Sequence, residues 1–370
     1  MSDKIHVLFV MEDLCFGGTQ RQMVELACRL DRSRFRVSML VLTGRTDLDA
    51  QVEQAGIRVE YLGRSRKVNP FFFALMPAAL KRLAPDVLVP CTALPNIWGR
   101  LWGRLLGIPI VGTVRGGGAP RRQHERFLWR LTDHMVCNSE ALADVLSGLG
   151  IPAARLAYVP NGVDTERFRF DSEGRMEVRA RYGFTDDECV VGLLGRFDLV
   201  KGQRETIAAL AKLVGEGVRN IRLMLLGFST ATLQEEVEAW IREAGMERYV
   251  TITGKVPDVT ACLSALDVGV VASLWSETIA RAALEIMACG RPLVSTSVGV
   301  MPDLLPASAL VAPGDVDALA GVLRRAATDE AWRRDLAGHC SERIMTLRDQ
   351  DFLEQTLAVY TEACRRRCSS

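Results

Sequence analysis

Cys189-Val-Val-Gly-Leu-Leu-Gly195-Arg196-Phe-Asp-Leu-Val-Lys201-Gly202 runs from an unbroken apolar stretch into a polar loop bounded by glycines, and a helical pattern follows. An apolar run without polar alternation reads as a strand buried on both faces, which implies a parallel sheet covered by helices. The same unit recurs outward from this stretch. Downstream lie Ile221–Leu226, Val250–Thr253, Val268–Val271, Pro292–Ser295 and Ala309–Val311; upstream lie Ile5–Val10, Phe35–Leu42, Ile57–Tyr61, Val87–Val89, Ile110–Val114 and Met135–Cys137. Helical patterns such as Gln20–Leu30 and Ser139–Leu149 fit between them, and Asp315–Thr328 and Gln350–Arg367 close the chain. The pattern predicts an α/β, doubly wound architecture. It pauses at Val159-Pro-Asn161-Gly-Val-Asp164, which is turn chemistry, and at the polar stretch Thr165–Glu177, expected to be irregular. Two doubly wound domains, 1–165 and 166–345, with a final segment 346–370, are expected.

Composition bounds the function classes. A chain of 370 residues suits two or three domains. Its 48% hydrophobic and 25% charged residues are ordinary for a globular protein. No stretch approaches the ~20 apolar residues of a membrane helix. The segment Met1–Val10 lacks the longer apolar run and cleavage site of a signal peptide, so a cytoplasmic protein is expected. The ten cysteines are scattered, without a CxxC pair or zinc-ligand spacing to the four histidines. They read as reduced, mostly buried thiols, with no metal expected.

The net charge of +1 hides an asymmetry. Met1 to Thr165 holds 21 Lys/Arg against 15 Asp/Glu, and the remainder 25 against 30. Within Arg64–Arg130 there are 12 basic residues against Asp86 and Glu125 alone, interleaved with Phe71, Phe72, Phe73, Trp98 and Trp102. Such a block suits an anionic lipid surface or a phosphorylated glycan acceptor, or else is a solvated face over core aromatics. Nucleic acid is not expected, because no recognition motif accompanies the charge.

Four local patterns carry chemistry. Gly17-Gly18 stand between the first strand and first helix, where backbone N–H groups approach a phosphate or simply turn the chain. The pair is not GxGxxG, so no dinucleotide cofactor is indicated. Arg196 and Lys201 stand at a strand's carboxyl end beside a helix start. Two cations there suit a diphosphate, whose leaving oxygen gains charge as its bond breaks; the alternative is a solvated pair. Glu277 and Glu285 flank an expected helix start near Thr278, which leaves N–H groups at Thr278, Ile279 and Ala280 for phosphates. A carboxylate at the strand end suits sugar hydroxyls and one further along suits a ribose diol, while Glu277 alone also reads as a helix-dipole partner. Met287-Ala-Cys-Gly290-Arg-Pro292 then ends the helix with Gly and restarts a strand, and Val298-Gly299 is another tight loop.

Taken together and in this order, these motifs resemble family 4 of the retaining glycosyltransferases, over nearly the whole chain. Glu277-x7-Glu285 with the following Gly-x-Pro is the specific part. The resemblance implies the GT-B fold: two facing Rossmann-like domains, with the last helix, Gln350–Arg367, crossing back to the first. It implies metal-independent, retaining transfer of a sugar from a UDP- or GDP-type nucleotide sugar, with no further cofactor. Arg196 and Lys201 would grip the donor diphosphate, Glu277 the transferred sugar and Glu285 the ribose. Gly17 and Gly18 would back the phosphates or sugar, and backbone near Gly254 and Val256 would meet the nucleobase. Asn161, in the turn before the second domain, is a further possible contact.

Two departures from the family pattern stand out. Thr278-Ile-Ala-Arg281 replaces the usual Gly-Phe-Gly-Leu, which alters contacts to the sugar. Arg115 stands where many members have a histidine, to touch the donor or an anionic acceptor. The acceptor implied is a glycan or lipid-linked saccharide, as in cell-surface polysaccharide or lipopolysaccharide synthesis, on the inner face of a membrane. A nucleotide-sugar epimerase of the same fold and a non-catalytic nucleotide-sugar-binding protein are the competing readings. Asp47-Leu-Asp49 and Asp349-Gln-Asp351 spell a metal motif, but both sit at expected helix starts, where Asp is an ordinary capping residue.

Overall fold

The computed structural model describes residues 4–15, 17–114, 125–275 and 277–368, with side chains in the last helix described as far as Arg365. It divides into two compact units, Met1–Asn161 with Gln350–Ser370, and Gly162–Asp349.

The first unit carries β1 (Ile5–Met11), β2 (Phe35–Val41), β3 (Arg58–Tyr61), β4 (Val87–Pro90), β5 (Val111–Val114), β6 (His134–Cys137) and β7 (Leu156–Tyr158). The ladders run in the orders β3-β2-β1-β4 and β5-β6-β7, all parallel, and a bridge from Leu88 to Ile110 joins them. Strand β1 shows why its sequence does not alternate. Val7, Phe9 and Met11 pack into one apolar layer, while Leu8 and Val10 pack into the other. The first layer is closed by the final helix, Asp349–Cys368, through Phe352, Leu357, Tyr360 and Ala363, with the Tyr360 ring edge-on to Phe9 at 6.2 Å.

The second unit carries β8 (Cys189–Leu194), β9 (Ile221–Leu226), β10 (Val250–Ile252), β11 (Val268–Val271), β12 (Leu293–Thr296) and β13 (Leu310–Val311). Its order is β10-β9-β8-β11-β12-β13, again all parallel. The chain winds outward from β8 to β10, then returns to the opposite side of β8 as β11. Strand order therefore reverses between β8 and β11, and a ligand crevice belongs at their carboxyl ends. The α/β, doubly wound reading of both halves holds.

Two local expectations fail. The stretch Thr165–Glu177 contains the start of a helix, Ser172–Tyr182, capped by the Asp171 side chain accepting from Gly174 N–H at 3.0 Å. No apolar stripe announces it, because arginines dock it instead. Arg175 donates to the carbonyls of Ser264, Ala265 and Leu266 at 2.9–3.0 Å, and both Arg175 and Arg179 reach Asp267. Strand β7 was not foreseen; three half-buried residues carry no legible period. Six of the nine described cysteines are buried. Burial pushes the Cys189, Cys289 and Cys340 thiols up to about 12.

Candidate active site

Three loops meet at the carboxyl edge of the second unit's sheet. The loop after β8 carries Arg196 and Lys201, the loop after β11 carries Ser273 and Glu277, and the loop after β12 carries Val298 and Gly299. Backbone contacts lock them together. Leu274 N–H donates to the Val200 carbonyl at 2.9 Å, Thr296 Oγ1 to the Ser273 carbonyl at 2.6 Å, and Val300 N–H to the Glu277 carbonyl at 3.0 Å. Two glycines make the approach possible. Gly202, at φ +69°, would put a Cβ 2.0 Å from the Ala272 carbonyl oxygen, and Gly299, at φ +58°, would put one 1.8 Å from that of Glu277. Both need a left-handed backbone and an absent side chain.

The side chains converge in part. Lys201 Nζ bonds Glu277 Oε2 at 2.7 Å, and Ser273 Oγ donates to the same oxygen at 2.6 Å. Glu277 is buried and Lys201 half-buried, and this charge-assisted pair ties the loop after β8 to the loop after β11. The Arg196 side chain lies 45% exposed and pairs with Asp198 at 3.3 Å, while its carbonyl accepts from the Gln203 amide. Glu285, buried, bonds Arg281 Nε through Oε1 at 2.8 Å. Glu277 and Lys201 are thus in contact, whereas Arg196 and Glu285 each engage a local partner on the same edge of the unit.

The helix after β11 begins later than expected. It spans Arg281–Ala288 with Ala280 as its N-cap at φ +53°, so Thr278, Ile279 and Ala280 lie in the loop before it. The chain uses those residues to seat the Glu277 carbonyl against Gly299 and then turns through a left-handed residue before it can coil. Glu285 therefore lies about one turn into the helix. On β10's edge, Gly254 adopts φ +66° and Val256 packs half-buried on the unit's core.

In the first unit, Gly17 caps the helix Gly18–Arg29 in extended conformation with no side-chain cap. Glu12, just after β1, accepts from Leu94 N–H at 2.8 Å, while its own N–H donates to Thr92 Oγ1. Asn161 is buried and accepts from Gln22 Nε2 at 2.7 Å, which gives it an internal structural bond. Arg115, like Arg121 and Arg122, lies outside the described residues. The basic block also divides. Arg100 is fully buried with Glu125 at 2.6 Å, Arg66 and Arg82 pair with Asp47 and Glu60, and Phe72 is core. Phe71, Phe73, Leu75 and Leu105 remain exposed, as do Lys81 and Arg104. Of the two acidic spellings, Asp49 is buried against Thr46 N–H and the Tyr61 hydroxyl, and Asp349 opens the last helix. Among the described residues there is no group of three or more His, Cys, Asp and Glu able to hold a metal ion. None of their helices is long and apolar enough to cross a membrane.

Ser273 was missed in the sequence. Its only signal is a small hydroxyl residue two positions past β11 and four before Glu277, a spacing that has meaning only once the loop is seen to fold back.

The two halves match separate family models: residues 16–167 match Glycosyltransferase Family 4, and residues 188–329 match Glycosyl transferases group 1. A D-inositol 3-phosphate glycosyltransferase of Acidothermus cellulolyticus is 30% identical over 95% of this chain and 87% of its own. This chain is a family 4 glycosyltransferase. A second relative of the glycosyltransferase, the MMP alpha-(1->4)-mannosyltransferase of Mycolicibacterium hassiacum, is 27% identical over 65% of this chain but only 57% of its own length. In fold, the family 4 chain superposes on Anabaena Alr3699/HepE, solved in complex with UDP, with a TM-score of 0.84, at 19% identity and over 97% and 100% of the two chains. That likeness establishes the GT-B fold of the glycosyltransferase.

Proposed function

We propose that this glycosyltransferase moves a sugar from a nucleoside-diphosphate sugar to an anionic glycan or lipid-linked acceptor, with retention of anomeric configuration and without a metal. The observation that carries the reading is the Lys201–Glu277–Ser273 cluster at the β8/β11 switch point. In this reading Lys201 and Arg196 stabilise charge on the departing diphosphate, which is where fixed cations lower the barrier most. Glu277, held by Lys201 and Ser273, receives hydroxyls of the transferred sugar, and Glu285 receives the ribose diol. The loop Thr278–Ala280 and the Gly17-Gly18 turn supply backbone N–H groups to donor oxygens, and the backbone at Gly254–Val256 reads the base. Backbone recognition leaves the choice between uridine and guanosine nucleotides to experiment.

Two observations support an anionic, membrane-associated acceptor. The first unit exposes Phe71, Phe73, Leu75 and Leu105 as well as Lys81 and Arg104, and one relative is named for a phosphorylated acceptor. Cell-surface polysaccharide or lipopolysaccharide synthesis fits that acceptor class.

The test is release of nucleoside diphosphate from a panel of UDP- and GDP-sugars, with and without phosphorylated glycans and in the presence of EDTA. Acceptor-dependent release that survives EDTA, with an anomeric proton in the product matching the donor's configuration by NMR, is expected. Conversion of the donor to its epimer without an acceptor would place the chain with the isomerases. Inversion or loss of activity in EDTA would overturn those parts of the reading.

A further inference from the structure

The first turn of the helix Arg281–Ala288 breaks two local rules at once. Ala280 takes a left-handed backbone at φ +53°, where glycine sits without strain, at a cost of about 1 kcal/mol. Arg281, the first helical residue, sets a cation against the positive end of the helix dipole, and the turn contains no acidic residue. Conflicts concentrated in one turn point to a functional constraint rather than to folding.

The partner of Arg281 identifies that constraint. Its Nε donates to Glu285 Oε1 at 2.8 Å, four residues on. Glu285 is 6% exposed, and a carboxylate at that depth needs a fixed counter-charge to remain an acceptor. Helix side chains lean toward the N-terminus, so the Glu285 carboxylate is directed back toward the loop after β11, where Glu277 and Lys201 meet. A guanidinium tied through Nε sets the direction of the carboxylate as well as its charge.

We infer that Arg281 is a positioning residue: it holds the Glu285 carboxylate in the orientation that accepts the vicinal hydroxyls of the donor's ribose. The inference rests on the reading of Glu285 as the ribose ligand. Selectivity of this chain for an intact 2′,3′-diol then depends on a residue that does not itself touch the diol.

The test compares binding of a nucleoside diphosphate with that of its 2′,3′-dideoxy counterpart by calorimetry, using whichever of UDP and GDP binds the wild-type chain more tightly. Wild type is expected to prefer the intact ribose by about tenfold or more, the scale of a hydrogen bond to a charged acceptor. Glu285→Ala is expected to abolish that preference. Arg281→Met is expected to reduce it at least about threefold while leaving the affinity for the dideoxy nucleotide near wild type, and Arg281→Lys to recover part of it. A merely structural pair would shift both affinities together. If Glu285→Ala keeps the full preference, or neither nucleotide binds, the ribose assignment itself fails, and this inference with it. If Glu285→Ala removes the preference but Arg281→Met does not, the positioning role alone is overturned. Equal weakening of both nucleotides by Arg281→Met would make Arg281 a structural or diphosphate-facing residue and also overturn it.

Discussion

Lys201 and Glu277 are each other's counter-charge, and that makes the effect of removing one of them asymmetric. Lys201→Ala strips a cation from the leaving diphosphate, which predicts a fall in turnover of about 10²–10³-fold. It also leaves Glu277 buried without the Lys201 counter-charge, so a lower melting temperature should accompany the loss. Nucleotide-release kinetics and a thermal melt check both, and turnover within about threefold of wild type would contradict the role given to Lys201. A second residue-scale prediction concerns His6. Burial, and then the Arg36 charge beside it, lower its pKa from the usual value, while its ring bonds Ser38 Oγ at 2.9 Å. A histidine held neutral in the fold contributes stability that is complete above its unfolded pKa near 6.5 and is lost as pH falls through the lowered folded value. The melting temperature of His6→Gln should therefore decline less than that of wild type as pH drops below about 6.5. Parallel declines would remove His6 from the acid sensitivity.

Elements explain what could be read in advance and what could not. Every strand with a continuous apolar run was legible, because burial on both faces leaves no alternation to confuse the period, and β8 and β11 appear within the bounds their sequences suggest. The helix Ser172–Tyr182 was illegible for the opposite reason: arginine-to-carbonyl bonds hold it, and they leave no apolar stripe. At the site, residue types were legible but the loop path was not. Thr278–Ala280 look like a first helical turn until Gly299 is seen to press against the Glu277 carbonyl. That contact gives an element-scale prediction. Gly299→Ala puts a methyl group where no atom fits, so the loop carrying Glu277 must shift, and activity should fall at least about tenfold with the fold retained, as circular dichroism would report. Unaltered turnover would show that the loop is not held there. Ala280→Gly relieves the left-handed strain and should raise stability by about 0.5–1 kcal/mol, readable in a denaturant melt; a loss of stability would deny the strain.

At the scale of the whole molecule, the two halves have the same winding, but each has its own core and the chain visits the first one twice. The final helix belongs to the first unit by its packing, with Phe352, Leu357 and Tyr360 buried beside β1. Each such side chain contributes about 1.5–3 kcal/mol on burial, so deletion of residues 349–370 removes a share comparable to a domain's net stability. Calorimetry of the truncated chain should lose or sharply lower the transition of the first unit while that of the second persists; an unchanged first transition would contradict the packing.

The account depends on charged side chains from separate loops of the second unit serving one nucleotide. A crystal structure of the full chain with bound nucleoside diphosphate tests this most directly. The diphosphate should lie against Arg196 and Lys201, with the ribose hydroxyls on Glu285. A nucleotide bound elsewhere on the chain, or one whose phosphates leave Lys201 and Arg196 untouched, would contradict the account.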